Sequence, residues 1–261
     1  TSDVATSGTI TLGAAGGATT ALIDNGTGAT AMKVRIGVPV DAGALGTRTS
    51  GTLIAMTSGV AGDAGGIFVS SDQALSTGAI SAGGNINIAT VTNANTLTVG
   101  STIATDAQTG VATPATSGSI TLGSTAGIVL SGAVSTGDVS VTNTGNDVAT
   151  SGSITLTAAT TVSGAGTLTT GTASASGAAG NDTATTGSIS VDGTSIRLSN
   201  ATAALTTGVA TLTAADTTAD VATSGTITLG PALGATTTLI DNGTNATAMK
   251  VRIGVPVDTT T

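Results

Sequence analysis

Residues 151–156 read Ser-Gly-Ser-Ile-Thr-Leu, and related six-residue stretches recur along the chain. Each stretch alternates polar and apolar side chains, so that Ile and Leu lie on one face of an extended strand and Ser and Thr on the other. The pattern predicts a short, half-buried strand. The motif Ser/Thr-Gly-Ser/Thr-Ile-Thr/Ser-Leu/Val begins at Ser7, Ser117, Ser151, Thr186 and Ser224, and looser copies begin at Ser50 and Thr77.

A much longer repeat encloses these motifs. The segment from Asp3 to Asp41 recurs from Asp220 to Asp258 with four differences, which gives a 217-residue offset. We therefore interpret residues 1–219 as one long repeat unit, with the 217-residue period counted from Asp3 to Ala219, and residues 220–261 as the start of the next. Units that repeat in this way add along an axis rather than folding into one globule.

The composition excludes an ordinary globular core. The chain has 39 glycines and a single aromatic residue, Phe68, and it lacks Trp, Tyr and Cys. Aromatic side chains supply much of the buried area of compact domains, so this chain has to bury many small residues in a thin, regular core. Thr, Val and Ile favour strands, and Gly, Asn and Asp favour the turns between them.

Short strands of this kind bury their apolar faces when strand–turn coils stack on one another. We therefore predict an all-β fold, a parallel β-solenoid. The motif glycines at 8, 51, 78, 118, 152, 187 and 225 are separated by intervals of 43, 27, 40, 34, 35 and 38 in sequence. With coils of about 20 residues, the 217-residue repeat corresponds to about 11 coils and an axial advance of about 53 Å.

Tandem β-sandwich domains are the alternative fold. The Asn-Gly pairs at Asn25-Gly26 and Asn242-Gly243 are typical of hairpin turns, and a sandwich is built from hairpins. A sandwich core normally contains bulky aromatic residues, however, and Phe68 alone cannot supply them. The solenoid is therefore the favoured prediction.

The Thr-Ser-Gly-Ser-Ile-Thr-Leu strands, the Gly-Asn-Ile-Asn-Ile stretch at Gly84–Ile88 and the scarcity of aromatic residues resemble the repeat regions of filamentous haemagglutinin-like exoproteins. This resemblance of pattern covers nearly the whole chain. It implies a right-handed parallel β-helix, secretion by the two-partner route and a role as a surface adhesin. The Asn-Pro secretion domain of that family is not part of this sequence.

The residue types argue against catalysis. Without His or Cys there is no Ser-His-Asp triad, no thiolate nucleophile and no His/Cys zinc site. Neither an EF-hand loop nor a Gly-Gly-x-Gly-x-Asp calcium repeat occurs. We predict that the chain is not an enzyme and has no catalytic, cofactor-binding or metal-binding residues and no cofactor.

Charge and hydropathy limit the partners. The net charge of −8 gives no electrostatic basis for binding nucleic acid, and no apolar run approaches the ~18 residues of a membrane span. The predicted partners are therefore neighbouring repeats or copies along a fibre, and a host or neighbouring cell surface, without nucleic acid or membrane insertion. Acceptor sequences for N-linked glycans stand at Asn25, Asn181, Asn200, Asn242 and Asn245.

These observations predict the structural repeat region of an extracellular or cell-surface filament or adhesin stalk, a fibre of stacked β-coils with a wider role in adhesion or biofilm cohesion. The alternative is a solenoid with a surface that binds ice or glycans. Thr-x-Thr pairs such as Thr9-Ile10-Thr11 and Thr226-Ile227-Thr228 would form that surface, although their irregular spacing argues against a regular array.

Overall fold

All regular structure in the described part of the chain is β-strand. The computed structural model describes residues 4–6, 10–11, 32–36, 47–49, 52–54, 67–71, 74–90, 94–177, 180–200, 204–213, 220–230, 239–240, 251–252 and 257–258. The all-β prediction is confirmed for these residues. The strands are β1 Val4–Thr6, β2 Ile10–Thr11, β3 Met32–Ile36, β4 Thr47–Thr49, β5 Thr52–Ile54, β6 Ile67–Ser71, β7 Leu75–Thr77, β8 Ile80–Ala82, β9 Ile86–Thr90, β10 Leu97–Val99, β11 Ile103–Thr105, β12 Gln108–Thr109, β13 Ala115–Thr116, β14 Ile120–Ser124, β15 Ile128–Leu130, β16 Val134–Ser135, β17 Val139–Val141, β18 Val148–Thr150, β19 Ile154–Ala158, β20 Thr161–Gly164, β21 Leu168–Thr169, β22 Ala173–Ala175, β23 Thr183–Thr185, β24 Ile189–Asp192, β25 Ser195–Leu198, β26 Leu205–Thr206, β27 Ala210–Leu212, β28 Val221–Thr223, β29 Ile227–Gly230, β30 Leu239–Ile240, β31 Val251–Arg252 and β32 Val257–Asp258.

The strands form six parallel sheets, of which five are numbered in the order of the circuit that starts at β15 and the pair β1-β4 is numbered last. Strands that follow one another in sequence lie in different sheets, and each full circuit from β9 onward adds one strand to each of sheets I to V. Sheet I is β2-β5-β7-β10-β15-β20-β25-β30, sheet II is β8-β11-β16-β21-β26-β31, sheet III is β12-β17-β22-β27-β32, sheet IV is β13-β18-β23-β28, sheet V is β3-β6-β9-β14-β19-β24-β29, and sheet VI is the pair β1-β4.

One circuit shows the architecture. The chain passes from β15 in sheet I through β16, β17, β18 and β19 and returns to sheet I with β20, which pairs in parallel with β15. The predicted parallel β-solenoid is therefore confirmed. The alternative of tandem β-sandwiches is wrong for the described residues, because hairpins pair antiparallel and these strands are stacked in parallel by full circuits of the chain.

Most of the coils are longer than predicted. In sheet V, Ile86, Ile120, Ile154, Ile189 and Ile227 pair in succession at sequence separations of 34, 34, 35 and 38. The expectation of about 20 residues per coil is wrong for these coils, because each one has five strands and the connections between them. In sheet V six coils occupy the 195 residues from Met32 to Ile227, so the 217-residue repeat contains between six and seven coils and advances about 32 Å rather than about 53 Å.

Four copies of the Ser/Thr-Gly-Ser/Thr-Ile motif, those that begin at Ser117, Ser151, Thr186 and Ser224, supply the strands of sheet V in register. The other copies lie elsewhere: those at Ser7, Ser50 and Thr77 lead into β2, β5 and β8, which belong to sheets I and II. In sheet V, β14 pairs with β19 on one side and with β9 on the other, and β9 does not belong to a copy of the motif.

Each full coil encloses two separate cores. Sheets I, II and V surround the larger one, which we call the main core, and it contains mostly Ile, Leu and Val. Sheets III and IV surround a second cluster, which we call the lobe. The chain enters the lobe at the corner between sheets II and III and leaves it at the corner between sheets IV and V. These two corners form the neck.

The lobe does not extend along the whole described stack. The coil from Ile67 to its partner Ile86 is little more than half as long as the coils above it. Only residues 83–85 lie between β8 and β9, so the chain turns from sheet II directly into sheet V at this level. The next coil adds β12 and β13, which are the terminal strands of sheets III and IV within the described residues.

Candidate functional site

The outward side of sheet V carries two parallel rows of hydroxyl side chains. Because Ile and Leu alternate with Ser and Thr, every second side chain points away from the main core, as in the burial pattern of β19. We call these two rows the hydroxyl face. The first row is Ser119, Ser153, Ser188 and Thr226, and the second is Thr121, Thr155, Ser190 and Thr228, all half-buried or exposed.

The first row is held by hydrogen bonds between coils. The backbone N–H of Ser153 donates to Ser119 Oγ at 3.0 Å, and the N–H of Ser188 donates to Ser153 Oγ at 3.0 Å. Thr226 continues the row with its N–H on Ser188 Oγ at 3.0 Å. Each side chain in this row therefore fixes the position of the coil above it, and the face is regular along the axis.

Buried hydroxyl groups at the neck form a second ladder. The Ser151 hydroxyl donates to the Gly171 carbonyl at 2.7 Å, and it accepts the Gly187 N–H at 2.9 Å. The Thr170 hydroxyl on the opposite corner donates to the Gly187 carbonyl at 3.0 Å. Six hydroxyls follow this rule, those of Thr105, Ser117, Thr136, Ser151, Thr170 and Thr186, and all six side chains are buried.

The neck also requires glycine. A Cβ placed on Gly152 would overlap the carbonyl of Gly118 in the coil below, and the same overlap recurs from Gly187 onto Gly152. At the other corner a Cβ on Gly171 would overlap the Gly137 carbonyl. The backbones of successive coils therefore approach too closely at the neck for any side chain, so the motif needs its glycine for stacking.

A column of aspartates closes the outer end of the lobe. Asp147 and Asp182 are fully buried. The Asp182 carboxylate accepts the N–H of Asp147 at 2.9 Å and the N–H of Gly177 at 2.7 Å, one on each oxygen. Asp220 accepts the Asp182 N–H at 2.8 Å in the same way. These carboxylates are hydrogen-bond acceptors for the backbone, as buried charges require.

The described residues do not bring together a metal site: no three Asp side chains in that part of the chain are close enough to hold a metal ion. The predictions that the chain lacks catalytic, cofactor-binding and metal-binding residues stay predictions. No helix in the described residues has the length and apolar character of a membrane span.

Two predicted glycan acceptors lie in the described part of the chain. Asn181 is exposed, and its backbone N–H donates to Asn146 Oδ1 at 2.8 Å. The Asn200 side-chain amide donates to the Ala165 carbonyl at 2.7 Å. Asn25, Asn242 and Asn245, and both Asn-Gly pairs, lie outside the described residues.

Sequence reasoning named the Thr-x-Thr pairs as an alternative ligand surface but argued against a regular array, and it missed the neck. It interpreted the first Ser or Thr of each motif as one more polar residue beside a strand, whereas Ser117 and Ser151 are buried and bonded on both sides. A signal was present, because Thr136-Gly137, Thr170-Gly171 and Thr207-Gly208 repeat the same Ser/Thr-Gly pair about half a coil away.

These features define the class of protein as a β-solenoid repeat protein with a main core, a lobe and a polar neck. No protein-family model matches the chain, and neither a curated protein nor a solved structure matches it.

Proposed function

We propose that this chain is a structural repeat region of an extracellular or cell-surface filament or adhesin stalk, and that it has no catalytic role. The observation that carries the proposal is the unbroken stack of coils, in which five parallel sheets run along one axis. Tension along that axis is shared by many hydrogen bonds between neighbouring coils. The near-identical segments Asp3–Asp41 and Asp220–Asp258 support repetition of the same unit along a fibre.

The polar groups of the described residues are consistent with a mechanical role. The buried carboxylate of Asp182 and the six neck hydroxyls bond backbone groups of adjacent coils. Such groups stabilise stacking rather than bind a substrate. The pattern resemblance to filamentous haemagglutinin-like exoproteins adds support for secretion and surface adhesion as the wider role.

Electron microscopy of the native material tests this proposal. We expect filaments whose power spectrum contains an axial reflection at about 4.8 Å and a longer axial repeat of about 32 Å. The longer repeat follows from the 217-residue unit, because six coils of sheet V occupy the 195 residues from Met32 to Ile227. Isolated particles, or filaments without the short axial reflection, would contradict a role as a solenoid fibre.

A ligand-binding solenoid is the second candidate, and one observation favours it. The motifs are unevenly spaced in sequence, yet Thr121, Thr155, Ser190 and Thr228 lie in register on adjacent strands. The loops absorb the uneven spacing, so irregular motif intervals in the sequence are compatible with a regular array of hydroxyls on this part of the stack. Such an array suits an ordered layer of water or the hydroxyls of a glycan.

An ice-recrystallisation assay separates the two candidates. If the hydroxyl face binds ice, Thr155→Lys should abolish the inhibition of crystal growth, because a long charged side chain interrupts the face. Thr172→Lys is the matched control, since Thr172 is exposed in the turn before sheet III. No inhibition by the unaltered chain would exclude ice as the ligand, and binding to immobilised glycans would then be measured with the same two variants.

A further inference from the structure

The lobe is not needed to close a coil. The paired residues Ile67 and Ile86 are 19 apart in sequence, and residues 83–85 connect sheet II directly to sheet V in that coil. The next coil, from Ile86 to Ile120, takes 34 residues because it adds the lobe strands. Ordering these extra residues costs conformational entropy, and the Ala side chains of the lobe bury little apolar area. The lobe therefore adds more outward surface than stability to the stack.

The outward side of sheet IV carries a uniform row of threonines. In β18 and β23 the middle Ala is buried, and the two flanking residues point outward and are half-buried. These flanking positions form two rows in register, which together we call the threonine face. The first row is Thr116, Thr150, Thr185 and Thr223, and the second is Val148, Thr183 and Val221.

Its uniform composition distinguishes the first row of the threonine face from the outward rows of the other sheets. All four of its positions are Thr, although Val is equally suited to a strand. The other rows change residue type from coil to coil: Thr98, Val129, Ser163 and Arg197 in sheet I, Ala104, Ser135, Thr169 and Thr206 in sheet II, Ser140, Ser174 and Thr211 in sheet III, and Thr121, Thr155, Ser190 and Thr228 in sheet V. Strand propensity explains Thr at one position but not the same residue at all four.

The hydroxyls of this row are available to a ligand. In the first row of the hydroxyl face, the Oγ atoms of Ser119 and Ser153 already accept backbone N–H groups of the next coil. The side chains of Thr150 and Thr185, in contrast, have no hydrogen-bond partner among the described residues. The four strands of sheet IV contain no charged and no aromatic residue. The threonine face is therefore an uncharged surface of free hydroxyl and methyl groups.

We propose that the threonine face binds ice. Neighbouring side chains within a row are about 4.8 Å apart, and the two rows are about 6.6 Å apart along the strands. Val and Thr are β-branched and adopt few side-chain rotamers, so the array is stiff. The sequence separations of 35 and 38 residues between Thr150, Thr185 and Thr223 leave its register intact. A ligand that contacts equal groups at equal intervals in two directions is itself periodic, and a crystal of water is such a ligand.

The chemistry of the face favours ice over a glycan. A Thr hydroxyl donates one hydrogen bond and accepts two, so it can take a place in a network of water molecules. The methyl groups of Val148 and Thr183 lie beside these hydroxyls and order the adjacent water without competing for its hydrogen bonds. Binding sites for small molecules are commonly lined by aromatic side chains, and the strands of sheet IV have none.

An ice-recrystallisation assay with variants of the full chain tests this assignment. The measured quantity is the lowest protein concentration that stops crystal growth. Thr185→Lys should raise this concentration at least about tenfold, because the ammonium group would lose its hydration at the ice surface. Thr150→Lys, in the neighbouring coil, should have the same effect, so the test does not depend on the folding of one variant.

Ser174→Lys is the matched control. Ser174 lies in the same coil as Thr185, is half-buried like it, and points outward from sheet III. This variant should stay within about twofold of the unaltered chain, as expected of a surface substitution away from the ligand. Circular dichroism checks that each variant is folded. Equal losses in Thr185→Lys and Ser174→Lys, or full activity of both threonine variants, would overturn the proposal.

The proposal rests on the second candidate function, a solenoid that binds ice, and Thr155→Lys on the hydroxyl face separates the two. If Thr155→Lys alone abolishes inhibition, the threonine face is refuted and the candidate function stands. No inhibition by the unaltered chain would refute both. Electron microscopy provides a further check: filaments that lose lateral contacts in Thr185→Lys while ice inhibition is unchanged would identify the face as a contact between fibres and overturn the proposal.

Discussion

The main core and the lobe belong to the same coils, yet they are packed with different residues. Among the buried members of the main core cluster, three of 25 are Ala, and the rest are Ile, Leu or Val. In the lobe six of nine are Ala. Apolar burial stabilises in proportion to the area buried, so each coil gains much less from the lobe than from the main core.

The lobe compensates with polar contacts. Its outer end is closed by the buried carboxylates of Asp147 and Asp182, and its inner end by the hydroxyl–glycine ladder of the neck. A solenoid can therefore extend its cross-section without bulky residues if hydrogen bonds hold the added strands at both ends. Four comparisons between variants, taken from the largest expected effect to the smallest, test this division.

The largest effect is expected from Gly152→Ala, because the new Cβ would overlap the Gly118 carbonyl in the coil below. Neighbouring coils would have to separate at the neck, which disturbs the main core and the lobe together. We expect a loss of more than about 4 kcal/mol in the free energy of unfolding, or failure to fold. Urea denaturation followed by circular dichroism measures it.

Gly145→Ala is the control for this substitution, since nothing lies within 4 Å of a Cβ at that position. It should change the unfolding free energy by less than about 0.5 kcal/mol. Equal losses in the two variants would show that close approach at the neck is not the reason for glycine.

The second comparison truncates one buried side chain in each core. Ile154→Ala in the main core should lower the unfolding free energy by about 4 kcal/mol, because it removes a fully buried side chain between two other isoleucines of the column. Val139→Ala in the lobe removes less volume, and we expect about 2 kcal/mol. A larger loss for Val139→Ala would contradict the lesser role given to apolar packing in the lobe.

The third substitution, Asp182→Asn, tests the polar support of the lobe. Both carboxylate oxygens accept backbone N–H groups, so the amide of Asn would place an NH₂ group against one of these donors. We expect a loss of about 3 kcal/mol. Hydrogen exchange should show faster exchange in β18 and β23 of the lobe than in β19 of the main core.

Asp138→Asn is matched to it, because Asp138 is exposed and a single N–H, that of Thr172, donates to one of its oxygens at 2.7 Å. The amide can rotate so that its oxygen keeps this bond. Protection that is lost equally throughout the stack in Asp182→Asn would argue against a separate lobe.

The smallest of the four effects is expected at the neck hydroxyl. Ser151→Ala leaves the Gly171 carbonyl and the Gly187 N–H without their buried partner, and we expect a loss of about 2 kcal/mol. Ser153→Ala removes an outward hydroxyl that also accepts an N–H, but water can replace it there, so the change should be below about 0.5 kcal/mol. Thermal unfolding of both variants ranks them, and the reverse order would contradict the neck ladder.

Much of the strand content could be predicted from alternation alone. Asn85–Ile88, Thr96–Val99 and Asp138–Val141 alternate polar and apolar residues, which predicts extended strands, and they contain or overlap β9, β10 and β17. Alternation fixes which face of each strand is apolar, because successive side chains point to opposite sides. It gives no information about how many strands complete one coil.

That limit explains the error in coil length. The looser motif at Thr77 has the same local pattern as the one at Ser151, but its strand β8 joins sheet II while β19 joins sheet V. A short strand can pair in any sheet that its apolar face fits, so the motif spacing by itself did not give the coil. For the candidate site, alternation predicted the outward Ser and Thr side chains, whereas the inward-facing hydroxyls of the neck were missed.

The sequence by itself determined an all-β chain with short half-buried strands, no aromatic core and a 217-residue repeat, because alternation and composition act within a few neighbouring residues. Only the tertiary structure decided that a full coil contains five strands, that these enclose two cores, and that Ser151 faces inward toward Gly171. Those features depend on which coil lies above which, and a contact between residues 20 or 36 positions apart leaves no local signature in the chain.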